Sequence, residues 1–237
     1  MLDYRILPAG DAAVVVDFGD RIERALNSRV LALAQAVAED HLEGVVETVP
    51  TFRSLMICYE PATLGYAKLV DRVQELIVEA GDVAYPSRLW RLPVCYDLSL
   101  APDLVEVAER TGLSPAEVVA RHSAITHHVY MLGFLPGQPY LGDLPDELAV
   151  ARRATPRGKV AAGSVGIAMA MTCVFPRETP CGLNIIGRTP VALWDPRRPN
   201  GSLVEPGDKV IFDPISLEAF EAMAKHPARC DPSLVSA

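Results

Sequence analysis

Proline and glycine are spread so unevenly along these 237 residues that they divide the chain before any other feature is considered. The 82 residues from Gly133 to Pro214 hold 11 prolines and 10 glycines, whereas residues 1–90 hold four prolines and five glycines. Proline lacks the backbone N–H that a helix interior needs, and glycine in a helix costs about 1 kcal/mol relative to alanine. The second region is therefore confined to short strands and shaped loops. Turn signals at Pro136-Gly137, Arg157-Gly158, Pro180-Cys181-Gly182, Asn200-Gly201 and Pro206-Gly207-Asp208 punctuate it in the manner of a compact β-barrel.

The first region has the opposite texture. Ala13 to Phe18 is apolar and β-branched between Gly10-Asp11 and Gly19-Asp20, the pattern of a strand. Leu26, Val30, Leu33, Ala34 and Val37 recur at helical spacing. Val45–Val49 and Ser54–Tyr59 read as strands around a turn at Pro50, and Leu69, Val70, Val73, Leu76, Ile77 and Ala80 mark a second helix that ends at Gly81. With Arg88 to Val94 as the next strand, the order β-α-β-β-α-β predicts an α+β N-terminal domain over 1–90, a split β-α-β sandwich with its helices on one face. An all-β barrel over 91–237 follows, opening with two short helices. One runs from Asp103 to Arg110 with Asp103 and Glu106 as a capping-box pair; the other starts at Ser114-Pro115-Ala116-Glu117 and runs to about His122. The tail after Pro227 is expected to fray.

Charge narrows the partners. Lys and Arg number 22 against 30 Asp and Glu, a net charge of −8, which argues against nucleic acid and anionic membrane. Met1-Leu2-Asp3-Tyr4-Arg5 is not the start of a signal peptide, and no apolar run approaches the roughly 18–20 residues of a membrane span. The expectation is a cytoplasmic protein. The five cysteines, Cys58, Cys95, Cys173, Cys181 and Cys230, include no CxxC pair and read as buried free thiols, with a Cys173–Cys181 encounter across a hairpin left open.

Four segments could carry chemistry: Gly133 to Pro145, Thr155 to Ile167, Pro180 to Pro190, and Pro206 to Phe212. In the first, prolines fix φ and Phe134 and Tyr140 give flat contact surface, which suits either a binding loop or a plug of the barrel. Ala162-Gly163-Ser164-Val165-Gly166 is one residue from the G-x-S-x-G nucleophile elbow, but no helix signal follows Ser164. A hydroxyl that hydrogen-bonds substrate or shapes the backbone is the competing role. No phosphate loop is present, since Gly158-Lys159 is followed by Val160. Arg152, Arg153, Arg157 and Lys159 are either an attractor for a carboxylate or phosphorylated group or a solvated charge cluster. His122, His127 and His128 lack the i, i+4 spacing of a helical zinc site, so no metal is expected. His122 reads as an acid–base group or as a helix-end residue.

Read in order, these four segments resemble the allophanate hydrolase subunit 1 family, which includes the KipI kinase inhibitor and the B-type component of bacterial 5-oxoprolinase. The family pattern is GFxPGFxYL, TPRxxVPAGSVxIAG, PGGWxIIGRTP and PGDxVxF. Here it appears with Gln138 for the second Phe, Met169 and Met171 near the second motif, and Cys181 and Leu183 in place of the Gly and Trp of the third. Gly10-Asp11-Ala12-Ala13 and the turn around Val49-Pro50 and Arg53-Ser54-Leu55 extend the likeness to nearly the whole chain. The resemblance implies a cyclophilin-like barrel after an α/β domain and a subunit 2 partner (KipA-like, or the C-type component of 5-oxoprolinase) whose barrel packs against it. It also implies hydrolysis of a small cyclic or acyl-urea amide, with ATP consumed by the complex on a partner and no cofactor bound by this chain. On this reading His122, Ser164 and Arg188 are catalytic, and Phe134, Pro136, Gly137, Tyr140, Arg157 and Gly163 bind substrate. A non-enzymatic, KipI-like inhibitor of a histidine kinase is the alternative.

Overall fold

The computed structural model describes residues 4–81 and 87–225 and the backbone of residues 234 and 235. The chain divides into two compact units, Met1–Pro86 and Ser87–Ala237.

In the first unit the elements are β1 (Arg5–Pro8), β2 (Ala13–Asp17), α1 (Arg24–Asp40), β3 (Val45–Pro50), β4 (Ser54–Tyr59) and α2 (Tyr66–Ala80). The strands form one antiparallel sheet in the order β1-β2-β4-β3. Period-two alternation puts Val14 and Val16 of β2 and Leu55 and Ile57 of β4 into a single core with Leu33 and Val37 of α1 and Leu69, Val73 and Leu76 of α2. The element order is thus β-β-α-β-β-α, not the expected β-α-β-β-α-β. Strand β1 is a mostly exposed edge strand and carries little hydrophobic alternation to betray it. The expected sixth element is a strand, but it belongs to the second unit.

That strand is β5 (Leu89–Cys95), followed by α3 (Leu104–Thr111), α4 (Pro115–Ser123), β6 (His127–Leu132), β7 (Pro139–Leu141), a 3₁₀ turn (Asp146–Leu148), β8 (Arg157–Val160), β9 (Ser164–Ala168), β10 (Met171–Val174), β11 (Thr179–Cys181), β12 (Asn184–Arg188), β13 (Lys209–Ile215), α5 (Leu217–Ala224) and β14 (Leu234–Val235). The order β12-β9-β10-β7-β6-β13-β5 closes on itself where Cys95 of β5 pairs with Arg188 of β12, giving a seven-stranded barrel. β5 runs parallel to β13 from Leu89↔Lys209 to Cys95↔Ile215, a partnership too distant in sequence for local pattern to reveal. β14 adds to β5, so the expected fraying fails for those two residues; the rest of the tail lies outside the described residues. The barrel is filled by Leu92, Val94, Val129, Ile167, Ile186 and Phe212, and Leu104, Val107 and Val118 of the two helices join the same core. Strands β8 and β11 form a separate pair, and residues of both share a second, smaller core with Cys173, Phe175 and Ile185.

Helix α4 starts as its sequence predicts: Ser114 Oγ accepts from the Glu117 N–H at 3.3 Å, and Glu117 Oε2 accepts from the Ser114 N–H at 2.8 Å. Ser114→Ala is expected to lower stability by about 1 kcal/mol, read as a shift of the urea midpoint at constant slope; an unmoved midpoint would remove the cap from the account. Helix α3 differs. Asp103 occupies its N-cap but makes no capping bond, because its carboxylate is engaged elsewhere.

Cys58, Cys95, Cys173 and Cys181 are free thiols; Cys230 lies outside the described residues. Cys173 on β10 and Cys181 on β11 share the smaller core but are not ladder neighbours, since β10 pairs with β7 and β9 and β11 with β8. Burial pushes the Cys173 thiol up to about 12. Among the described residues no helix is long and apolar enough to cross a membrane.

Candidate functional site

A cleft of about 220 Å³ opens on the barrel unit, lined by Arg157 and Lys159 of β8, Ser164 at the start of β9, and Ile185 and Arg188 of β12, with Ser99, Leu100 and Pro102 among its walls. Two of the four sequence segments therefore converge here. The point of convergence is Gly163, whose φ of +82° only glycine adopts without strain. Its N–H donates to Phe175 O at 2.7 Å, and its carbonyl accepts from Thr189 N at 2.9 Å. The turn it makes delivers Ser164 into β9 directly opposite Arg188, its register partner on β12. Residues so paired carry their side chains on the same face.

Arg188 donates from Nε to Ala162 O at 2.8 Å, and its guanidinium lies 5.5 Å from the Phe220 ring centroid. Among the described residues it has no carboxylate partner. The cleft's other cations do: Lys159 pairs with Glu178 at 2.9 Å, and Arg157 with Asp103. The Ser164 hydroxyl has no hydrogen-bond partner among the described residues. Ser164 opens a strand that runs on to Ala168, so the strand–turn–helix of a nucleophile elbow is absent.

Asp103 organises the cleft from behind, and sequence reasoning missed it. Its residue is 1% exposed, yet its carboxylate accepts from Arg157 Nη1 and Nη2 at 2.6 Å each, from Arg153 Nη1 at 2.7 Å and from the Ile185 N–H at 2.6 Å. The bond to Asp103 raises the Arg157 pKa further above its ordinary value, so this arginine is permanently charged. The Asp-x-x-Glu spacing at 103–106 reads locally as a helix cap, and no local signal distinguishes that from a charge hub. Of the four basic residues in the sequence cluster, Arg153 and Arg157 are thus held by Asp103, while Arg152 lies over Gly182.

Other expected site residues lie elsewhere. His122 is wholly buried, stacked on Phe212 with centroids 4.9 Å apart, its Nδ1 2.9 Å from the Tyr96 hydroxyl and its Nε2 3.2 Å from Thr172 Oγ1. Burial, and then the neighbouring His127, push it well below the ordinary imidazole range. It is a buried core residue outside the cleft lining. Phe134, Pro136, Gly137 and Tyr140 do not line the cleft either. Phe134 is 68% exposed at a φ of +70°, which excludes it from any barrel plug. A Cβ on Gly137 would lie 3.1 Å from Leu193 O and 3.2 Å from Trp194 Cβ, so that loop is braced on residues 193–194. Asp208 of the fourth segment is a structural tie, accepting from Arg88 and from the Trp90 indole N–H at 2.9 Å. Among the described residues no group of three or more His, Cys, Asp or Glu side chains could hold a metal ion.

Residues 4–204 match the family model for the carboxyltransferase domain, subdomain C and D. Similar proteins include the B-type component of 5-oxoprolinase from Bacillus subtilis (strain 168), 37% identical over 92% of this chain and 96% of the relative. Its counterpart in Escherichia coli O157:H7 is 39% identical over 86% and 93%. Among solved structures, TTHA0988 superposes with a TM-score of 0.78 at 34% identity, covering 86% of this chain but 40% of that one; this chain thus spans about two-fifths of that longer protein.

Proposed function

The chain belongs to the carboxyltransferase domain, subdomain C and D, family, and from that premise we propose that it is the B-type component of an ATP-dependent amide hydrolase of the 5-oxoprolinase kind. Its cleft holds the carboxylate of a small amide substrate. One observation carries the reading: Arg188 and Ser164, from two separate family motifs, are cross-strand partners in the cleft, and among the described residues Arg188 is the cleft cation without a carboxylate partner.

A guanidinium so placed favours an anion, and a planar fork matches a carboxylate through two parallel N–H···O bonds. The Ser164 hydroxyl adds a donor beside it. No histidine, aspartate or glutamate lines the cleft among the described residues, and Ser164 orients substrate rather than attacking it. ATP phosphorylates the amide oxygen on a partner protein and ADP leaves, since this chain offers no phosphate loop; water then adds to the activated carbon, phosphate departs and the C–N bond breaks. The exposed Phe134, on backbone of unfavourable φ, and the Pro136–Gly137 turn with Tyr140 behind it meet the barrel of subunit 2 and complete the shared site. His122 serves by holding the barrel core.

Reconstitution with subunit 2 and the ATP-binding component tests this. ATP-dependent release of glutamate from 5-oxoproline is expected, and Arg188→Gln should raise KM roughly 10–100-fold, the loss of a charge-assisted bidentate contact, with kcat within about threefold. A fully assembled complex that releases no glutamate sinks the function, and an Arg188→Gln enzyme of unchanged KM sinks the site.

A further inference from the structure

We propose that Asp103 is a positioning residue for the cleft: it fixes the orientation of Arg157 and ties the two cleft walls, β8 and β12, to the start of α3. This deepens the carboxylate-binding reading given above and rests on it.

The geometry is that of a fully subscribed carboxylate. Each oxygen accepts two bonds: Oδ1 from Arg157 and Arg153, Oδ2 from Arg157 and the Ile185 N–H. The Asp103 N–H in turn donates to Ile185 O at 3.0 Å, so residue 103 grips β12 through both backbone and side chain. Arg157 and Ile185 both line the cleft, whereas Asp103 does not. It therefore touches no substrate and acts through its neighbours. A carboxylate at this position could instead cap α3, as the spacing to Glu106 suggests; it makes no capping bond.

Holding both Nη atoms of Arg157 end-on has a consequence for binding. The guanidinium plane is fixed, and Nε is left without a partner among the described residues. Asp103 shares its charge between Arg153 and Arg157, and Glu106 also accepts from Arg153 at 3.0 Å, so Arg157 contributes direction more than attraction, while Arg188, without a carboxylate among the described residues, contributes the net charge. Two cations in one cleft thus have separable duties, one for affinity and one for alignment.

The test is a double-mutant cycle in the reconstituted complex, with 5-oxoproline as the substrate probe. Arg157→Gln is expected to raise KM about tenfold, Asp103→Asn about as much, and the double variant no more than Arg157→Gln alone, each with kcat within about threefold. A merely structural Asp103 gives a different pattern: its KM effect persists and multiplies in the Arg157→Gln background. That result overturns the inference, as does an Asp103→Asn enzyme of unchanged KM beside an impaired Arg157→Gln. An Arg157→Gln enzyme of unchanged KM instead strikes the cleft reading beneath it. If Asp103→Asn does not fold, Asp103→Glu, which keeps the charge but lengthens the reach, takes its place with the same expected pattern: a raised KM that disappears as a separate effect once Arg157 is Gln.

Discussion

Gly163→Ala is expected to destabilise the protein by about 3 kcal/mol or more, far beyond the effect of one methyl group on a surface. Two costs add. At φ +82° an L-residue meets its own carbonyl, a penalty of roughly 1–2 kcal/mol. The added Cβ would also lie 2.1 Å from Thr189 O, an atom that cannot retreat freely because the Thr189 N–H is bonded to Gly163 O and the Gly163 N–H to Phe175 O. Relief requires one of those bonds to break where β9, β10 and β12 meet. Gly158 supplies the control: no atom lies within 4 Å of a Cβ there and its φ is ordinary, so Gly158→Ala should stay within about 0.5 kcal/mol of the parent. Urea unfolding of both variants reads the difference. A Gly163→Ala protein as stable as Gly158→Ala would mean that the turn before Ser164 is not the rigid element on which the cleft depends.

That turn also marks how far the amino-acid sequence leads. The β-rich second half follows from where proline and glycine lie, because both deny the chain a helix. The cap of α4 follows from Ser114, Pro115 and Glu117, because a cap is a local device whose parts are three residues apart. Arg157, Gly163, Ser164 and Arg188 are singled out by the resemblance of their segments to the family's motifs. What stayed hidden is what depends on distant partners. Strand β5 was legible as a strand but not as a member of the barrel, since its parallel partner is β13. Asp103 looked like a cap because nothing near it announces arginines 50 and 54 residues later. His122 looked like a titratable group at work, since position in a helix says little about which face the barrel will bury. Phe134 and Pro136 sit on a stiff loop outside the cleft lining, and the stiffness of a loop is a local property whereas its destination is not.

Acid should unfold this protein earlier than its carboxylates alone require, with stability falling as the pH drops below about 6.5. His122 is the cause. Its imidazole faces the Tyr96 hydroxyl, the Thr172 hydroxyl, the His127 ring and the face of Phe212. No carboxylate is paired with it among the described residues, and burial holds it well below 6.5 in the folded state. Above about pH 6.5 the group is neutral whether the chain is folded or not, and stability is complete. Below that, the unfolded chain takes up a proton that the native state refuses, so stability drops by about 1.4 kcal/mol per pH unit until the folded pKa is reached. Carboxylates held low by hydrogen bonds, such as Asp97 by the Ser99 hydroxyl and N–H and Glu117 by the Ser114 N–H and hydroxyl, weaken the fold only at more acidic pH, which keeps the two contributions apart. Urea unfolding from pH 7 to 4.5 should show the decline in the parent protein. In His122→Gln, whose side chain does not titrate, the slope should shrink by about one proton, whatever the variant loses at pH 7. Parallel slopes would mean that the buried imidazole accepts its proton without opening the barrel, and the core around Phe212 would then have to contain a polar path that the packing of Tyr96, Thr172 and His127 does not provide.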